Sequence, residues 1–274
     1  MSIDLGTHGV WRRVGDVTPE TAAEIETLGF GALWIGGSPP GDLTVIESIL
    51  RATRTIPVAT GIVNMWSDDA TTLARSYHRI NDRYPNRLLL GVGIGHPEST
   101  SEYRDPIDTI VSYLDTLDAS GVPREHICLA ALGPRALRIS AERTAGAHPY
   151  LTTKRHTALA REVMGPNALL APEQTVIVGS VDAETRERAR TFVTRYLRLG
   201  NYRRNLLREG WTEDDLARGG SDRLVSELVL VGTAEEVAGG IDAHIDAGAD
   251  HVCIQAIGSD PIRSLRLLAE VLLA

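Results

Sequence analysis

The sequence predicts an α/β fold, an eight-stranded parallel (β/α)8 TIM barrel with a late helical insertion. Three observations carry this. Short apolar runs alternate with amphipathic stretches along all 274 residues, which implies a parallel sheet with helical crossovers. The run Leu88-Leu-Leu-Gly-Val92 is apolar without interruption, as in a strand covered on both faces. Eight strand–helix units can be traced, the number that closes a barrel. No interior linker is visible, so residues 1–274 read as one domain, with an insertion at about 200–231. A doubly wound open sheet is the alternative. It lacks its phosphate fingerprint after the first strand, and Gly91, Gly93 and Gly95 merely alternate.

The first strand is expected over residues 3–7, ending at His8-Gly9-Val10-Trp11. Thr18 is an N-cap with Pro19 at the first helical position, and Ala22, Ile25 and Leu28 form the apolar stripe. Residues 31–35 form the second strand, and Asp42 caps the helix carrying Val45, Ile46, Ile49 and Leu50. Residues 57–64 form the third strand, and Ser67 caps the helix of Leu73, Ala74, Tyr77 and Ile80. Residues 88–94 form the fourth, followed by a helix with Ile110, Leu114 and Leu117 that Gly121 closes. The fifth spans 127–132 and feeds Gly133-Pro134-Arg135. The sixth spans 146–151, and the seventh 174–178, with Asp182 capping its helix. The insertion reads as two short helices. Thr233-Ala-Glu-Glu236 is a capping box, and residues 249–257 form the eighth strand.

The composition, 43% apolar and 23% charged, describes a globular chain. A net charge of −8 excludes nucleic acid as the main partner. Cys128 and Cys253 lie inside apolar runs and imply no disulfide framework. No signal peptide or membrane span is visible, so a cytoplasmic location is expected. Lys154 is the only lysine and reads as a surface residue in the first turn of a helix, or as a phosphate contact. Schiff-base chemistry is therefore not expected. The eight histidines include no His-x-His pair and no His-Glu-x-x-His, so no metal is expected. A Gly-x-Ser-x-Gly elbow is also missing.

In a barrel, function sits on the loops after the strands. Those loops offer His8 and Trp11, Gly36 to Ser38, Asn64 to Trp66, His96, Gly133 to Arg135, His148 to Thr153, and the insertion at 200–231. Leu132-Gly133-Pro134-Arg135 carries the clearest chemistry. A glycine allows close backbone approach, a proline at the first helical position leaves the next amides free, and Arg135 can add charge. His96 is the candidate proton donor or acceptor, because imidazole titrates near neutrality, and His8 is the reserve. Trp11, Ser38, Trp66 and Tyr202 are candidates for walling a substrate pocket.

The chain resembles the bacterial-luciferase-like enzymes, in particular their deazaflavin (coenzyme F-420)-dependent oxidoreductase branch. The resemblance rests on Gly29-Phe-Gly-Ala-Leu-Trp34, Val58-Ala-Thr-Gly-Ile-Val-Asn64, Leu89-Leu-Gly-Val-Gly-Ile-Gly95, Ala130-Ala-Leu-Gly-Pro134, Val231-Gly-Thr-Ala-Glu-Glu-Val237 and Asp246-Ala-Gly-Ala-Asp-His-Val252. It implies that Gly61, Ile62, Val63 and Asn64 back a flavin or deazaflavin ring, often through a non-prolyl cis peptide. It implies that Gly93 to His96 run along the ring edge, and that Leu132, Gly133, Pro134 and Arg135 hold a phosphate. His148 joins this cofactor-binding set. Two departures stand out: Gly36-Gly37-Ser38 replaces a polar pair, and His96 stands where relatives place a glutamate. The expected function is hydride transfer between coenzyme F-420 and a small organic substrate. A flavin mononucleotide (FMN) monooxygenase and a non-catalytic cofactor-binding relative are the alternatives. A homodimer is expected by analogy alone.

Overall fold

All but one of the apolar runs read as strands contribute a parallel stave, the run at residues 3–7 being the exception, and the staves are shorter and more broken than the alternation suggests. The computed structural model describes residues 2–95 and 105–274. Its strands are β1 (His8–Arg13), β2 (Ala32–Gly36), β3 (Val58–Gly61), β4 (Val63–Asn64), β5 (Leu88–Gly93), β6 (Ile127–Leu129), β7 (Gly146–Ala147), β8 (Leu169–Leu170), β9 (Glu173–Val178), β10 (Val229–Gly232) and β11 (Val252–Ala256). All pairings are parallel.

The order is β10-β9-β11-β1-β2-β3-β5-β6-β7-β8, with β4 also on β5. Eight plain strands in a closed ring were expected. Eleven segments form among the described residues, and pairing leaves the sheet open between β8 and β10. The chain itself links β8 to β9, the neighbour of β10, because only Ala171 and Pro172 separate them. Ala171 N–H donates to Ala147 O (2.9 Å) and Glu173 N–H to Pro149 O (2.8 Å), while Cys253 N–H donates to Pro172 O (2.9 Å).

The first strand is displaced from the expected 3–7 to His8–Arg13. Asp4 accepts the Gly6 N–H (3.0 Å) and Gly6 takes φ +61, a turn that ends any strand there. The third strand divides at a cis Gly61–Ile62 peptide. Asp69, not Ser67, caps α3 (Ala70–Arg83), through Thr72 N–H. Leu43, not Asp42, is the N-cap residue of α2 (Thr44–Ala52), although the Asp42 carboxylate still accepts the Thr44 N–H (2.9 Å). Thr18, Asp182 and the Thr233–Glu236 capping box behave as read.

The insertion holds three helices and a strand rather than two helices: α8 (Gly200–Arg208), α9 (Glu213–Leu216), α10 (Asp222–Leu228) and then β10. Val229 to Gly232 pairs with Thr175 to Val178, so the insertion returns to the sheet. Leu88, Leu89, Leu90, Val92, Ile127, Leu129, Val252 and Ile254 are all buried, as a sheet covered on both faces requires. Packing is tight at Gly91, where an added Cβ would fall 1.7 Å from Thr60 O. Both cysteines are free and buried.

Candidate functional site

A cavity of about 530 Å³ opens at the carboxyl ends of the strands. One wall is an apolar shelf of Ile62, Ile94, Ile107, Ala130 and Leu132. Gly61 and Asn64 border it. Gly95 has φ +58 and lies against Asn64, whose Nδ2 an added Cβ would meet at 2.8 Å. The Asn64 side-chain oxygen accepts the Trp66 N–H (2.9 Å), which fixes the chain after β4.

One corner of the cavity is cationic. Gly133 is the N-cap of α5 (Pro134–Arg143), makes no side-chain cap, and is followed by proline at the first helical position. The helix therefore presents unpaired amides and the positive end of its dipole. The Arg208 guanidinium faces the same point, since a Cβ on Gly133 would meet its Nη1 at 3.7 Å. Arg204, one helical turn earlier on α8, also lines the cavity.

Buried polar bonds anchor α8. Arg208 donates to Asn205 Oδ1 (3.1 Å), and Asn205 and Thr153 donate to the two carboxylate oxygens of Glu209 (2.8 and 2.7 Å). Burial pushes the Glu209 carboxyl up to about 7. The helix that brings the arginines is thus tied to the start of α6 (Lys154–Met164), where Thr153 is the cap.

The floor is aromatic. Trp11 lies 5.4 Å from Tyr150, and the Tyr150 hydroxyl donates to Gln255 Oε1 (2.8 Å) while accepting from Tyr196 (2.8 Å). His148 stacks on Trp34 at 4.3 Å, and its Nδ1–H donates to Ala171 O (2.7 Å). Burial pushes His148 down to about 4, so it is neutral at physiological pH.

Of the residues singled out from sequence, Trp11, Ser38, Gly61, Ile62, Asn64, Leu132, Gly133, His148 and Tyr202 line this one cavity. Others lie elsewhere. Val63 is fully buried in the core. Gly93 is off the lining but lies against it, where a Cβ would press on Ala130 (2.9 Å) and Ile62 (3.2 Å). Pro134 only starts α5, and Arg135 is exposed and off the cavity wall. Trp66 is half-buried and also off the wall. His8 opens β1 at its amino end, opposite the site, and approaches Asp242 Oδ1 at 3.3 Å. The five-residue shift of the first strand moved it there. His96 lies outside the described residues.

Sequence reading missed Arg13, Tyr196, Arg204 and Arg208. The pair Arg204 and Arg208 had a legible signal, two cations at i and i+4 in a tyrosine-bearing helix. Lys154 heads α6, is exposed and pairs with Glu227 (3.3 Å). Among the described residues no three His, Cys, Asp or Glu side chains are grouped to hold a metal ion. None of their helices is long and apolar enough to cross a membrane.

The sequence profile of the luciferase-like monooxygenase family matches residues 6–109. An F-420-dependent secondary alcohol dehydrogenase, solved with an F-420–acetone adduct, is 14% identical and superposes with a TM-score of 0.77, over 99% of this chain and 98% of that one. The F-420-dependent tetrahydromethanopterin reductase of Methanopyrus kandleri is 13% identical, with a TM-score of 0.73 over 98% of each chain. The oxygenating constituent of 3,6-diketocamphane monooxygenase from a Pseudomonas putida plasmid, in complex with FMN, is 15% identical, with a TM-score of 0.69 over 97% of each chain. No curated protein sequence matches. The resemblance to luciferase-like enzymes read from the sequence is borne out, and at these identities the structures share a fold.

Proposed function

We propose that the chain is a luciferase-like oxidoreductase that moves a hydride between coenzyme F-420 and a small organic substrate. The observation that carries this is the union, in one cavity, of an apolar shelf and a cationic corner. Ile62, Ile94, Ala130 and Leu132 suit a flat ring, and the amide end of α5 with Arg204 and Arg208 suits a phosphate. No carboxylate lines this cavity among the described residues, although the chain as a whole carries −8. The volume, about 530 Å³, falls in the range of cofactor and ligand pockets.

When bound, the deazaflavin supplies the two-electron chemistry. The chain's residues supply placement. Ile62 and Asn64 border the ring, Gly133 and Arg208 hold the phosphate, and Tyr150 and Tyr196 narrow the floor. Neutral His148 holds a fixed hydrogen-bonding orientation and carries no charge. His96, which follows Gly95 in the chain, is the proposed proton donor or acceptor, a role open to an imidazole side chain. The homodimer belongs to this proposal by analogy only.

FMN is the second reading, favoured by the same shelf and corner, since both cofactors join a flat ring to a phosphate. Titrating the purified chain with each cofactor, following tryptophan fluorescence and ligand absorption, tests both. Saturable binding of coenzyme F-420 supports the proposal, and binding of FMN alone transfers it to the monooxygenase reading. Binding of neither contradicts both.

A further inference from the structure

We propose that Trp11 and His148 form a donor–acceptor pair on the cavity floor that reads a ligand edge carrying a carbonyl beside an N–H, as in a lactam or imide. The inference rests on the cavity being a ligand site, and it specifies the polar chemistry of what enters. Trp11 Nε1 and His148 Nε2 are buried and have no hydrogen-bond partner among the described residues. Both side chains line the cavity and both are nearly inaccessible, at 3% and 2% exposure. A buried polar group without a partner is costly, so such a pair at a cavity calls for a partner that a ligand can supply.

The two atoms lie close to one place. A Cβ built on Gly61 would lie 2.9 Å from Trp11 Nε1 and 3.3 Å from His148 Nε2. Glycine at 61 keeps that approach open. The neighbouring ring nitrogens are treated differently: Trp34 Nε1–H donates to His251 Nε2 (3.0 Å), and His251 Nδ1–H donates to Gly6 O (2.7 Å). The deeper indole is fully paired, while the one at the cavity is left for something else.

The polarity of the pair is fixed. Indole nitrogen only donates. His148 Nδ1 faces the Ala171 carbonyl at 2.7 Å, so it carries the proton and leaves Nε2 as a lone-pair acceptor. The Trp34 stack at 4.3 Å holds the ring in that orientation. The complementary ligand therefore presents an acceptor to Trp11 and a donor to His148. A carboxylate offers two acceptors and meets the His148 lone pair unfavourably, and an ammonium offers nothing to Trp11. An imide or amide edge satisfies both. That edge belongs either to the pyrimidine ring of the cofactor or to an amide-bearing substrate.

The test uses the full chain labelled with nitrogen-15, in which Trp11→Phe identifies the Trp11 indole resonance. Uracil is the imide probe, and 1,3-dimethyluracil keeps the carbonyls but lacks both N–H groups. Uracil is expected to move the Trp11 indole proton downfield in a saturable manner, and the dimethyl compound to bind about 3–30-fold more weakly, the worth of one such hydrogen bond. His148→Phe should weaken uracil by a similar factor and leave the dimethyl compound unchanged, a contrast that a merely structural histidine would not produce. Coenzyme F-420, FMN and acetamide then locate the source. The same indole shift with either cofactor assigns the edge to the cofactor; the shift with acetamide alone assigns it to the substrate. If uracil shifts the indole but neither cofactor binds, the cofactor reading fails and the pair stands. If the Trp11 indole proton is unmoved by uracil, by acetamide and by any cofactor that binds, the pair reads nothing and the inference is overturned.

Discussion

Glu173, fully buried at the start of β9, should make the protein less stable as pH rises, and Glu173→Gln should remove that dependence. Burial holds its carboxyl up at about 7, against an ordinary 4.5, and outweighs the hydrogen bonds it accepts from Thr175 Oγ1 (2.5 Å) and Leu151 N–H (3.2 Å). Between those values the folded chain binds more protons than the unfolded one, so stability falls as pH rises from about 4.5 through about 7. The loss is about 3 kcal/mol once complete, and most of it falls between pH 5 and pH 8. The glutamine side chain keeps an oxygen for Leu151 N–H and an amide for Thr175 Oγ1. Buried His148, His244 and His251, all held down at about 4, act in the opposite direction, losing stability as pH falls below about 6.5. The quantity to measure is therefore variant minus wild type, from urea unfolding at pH 5 and pH 8, where the histidine contributions cancel. Glu173→Gln should gain about 2–3 kcal/mol relative to wild type on going from pH 5 to pH 8. A difference that is the same at both pH values would show that Glu173 is not a buried carboxyl with a raised pKa.

Three further outcomes are expected. Gly133→Val places a branched side chain beside the Arg208 guanidinium at the head of α5, and should weaken cofactor binding by about 1–3 kcal/mol in a calorimetric titration. Gly91→Ala drives a methyl to 1.7 Å from the Thr60 carbonyl, a backbone atom that cannot turn aside, so thermal unfolding should show a loss of about 3 kcal/mol or more. His96→Gln should lower the maximal rate by about 10²–10⁴-fold and remove one limb of the pH–rate profile, while fluorescence titration shows cofactor affinity little changed.

What was legible in the sequence was whatever rests on local pattern. The apolar run from Leu88 to Val92, the caps at Thr18 and Asp182 and the glycine–proline turn at 133–134 each carry their own signal over a few residues. The cavity wall from Gly61 to Leu132 followed from strand order, because parallel strands deliver their carboxyl ends to one side. His8 was misplaced because Ile3 and Leu5 look like strand residues. They instead pack in a small cluster with Trp11 and Trp34, and the Asp4–Gly6 turn delays the strand. Arg135 is the arginine beside Gly133 in the chain, and no local pattern ties Gly133 to Arg208. A residue in the first turn of a helix can point away from its N-terminus, whereas α8 comes about 70 residues later and carries no local signal of where it docks. The pairing of β10 with β9 was equally hidden, since Val229 to Gly232 follows a helix and contacts a strand more than 50 residues earlier.

The central claim is that one cavity binds a flat ring on its shelf and a phosphate at Gly133 and Arg208. Its most direct test compares FMN with riboflavin, and coenzyme F-420 with its phosphate-free deazaflavin riboside, on wild type and Arg208→Ala. In the pair that binds, Arg208→Ala should cost the phosphate-bearing ligand about 1–3 kcal/mol and its phosphate-free partner almost nothing. Equal losses for both members of the pair, or no loss for either, would place the phosphate elsewhere and contradict the account.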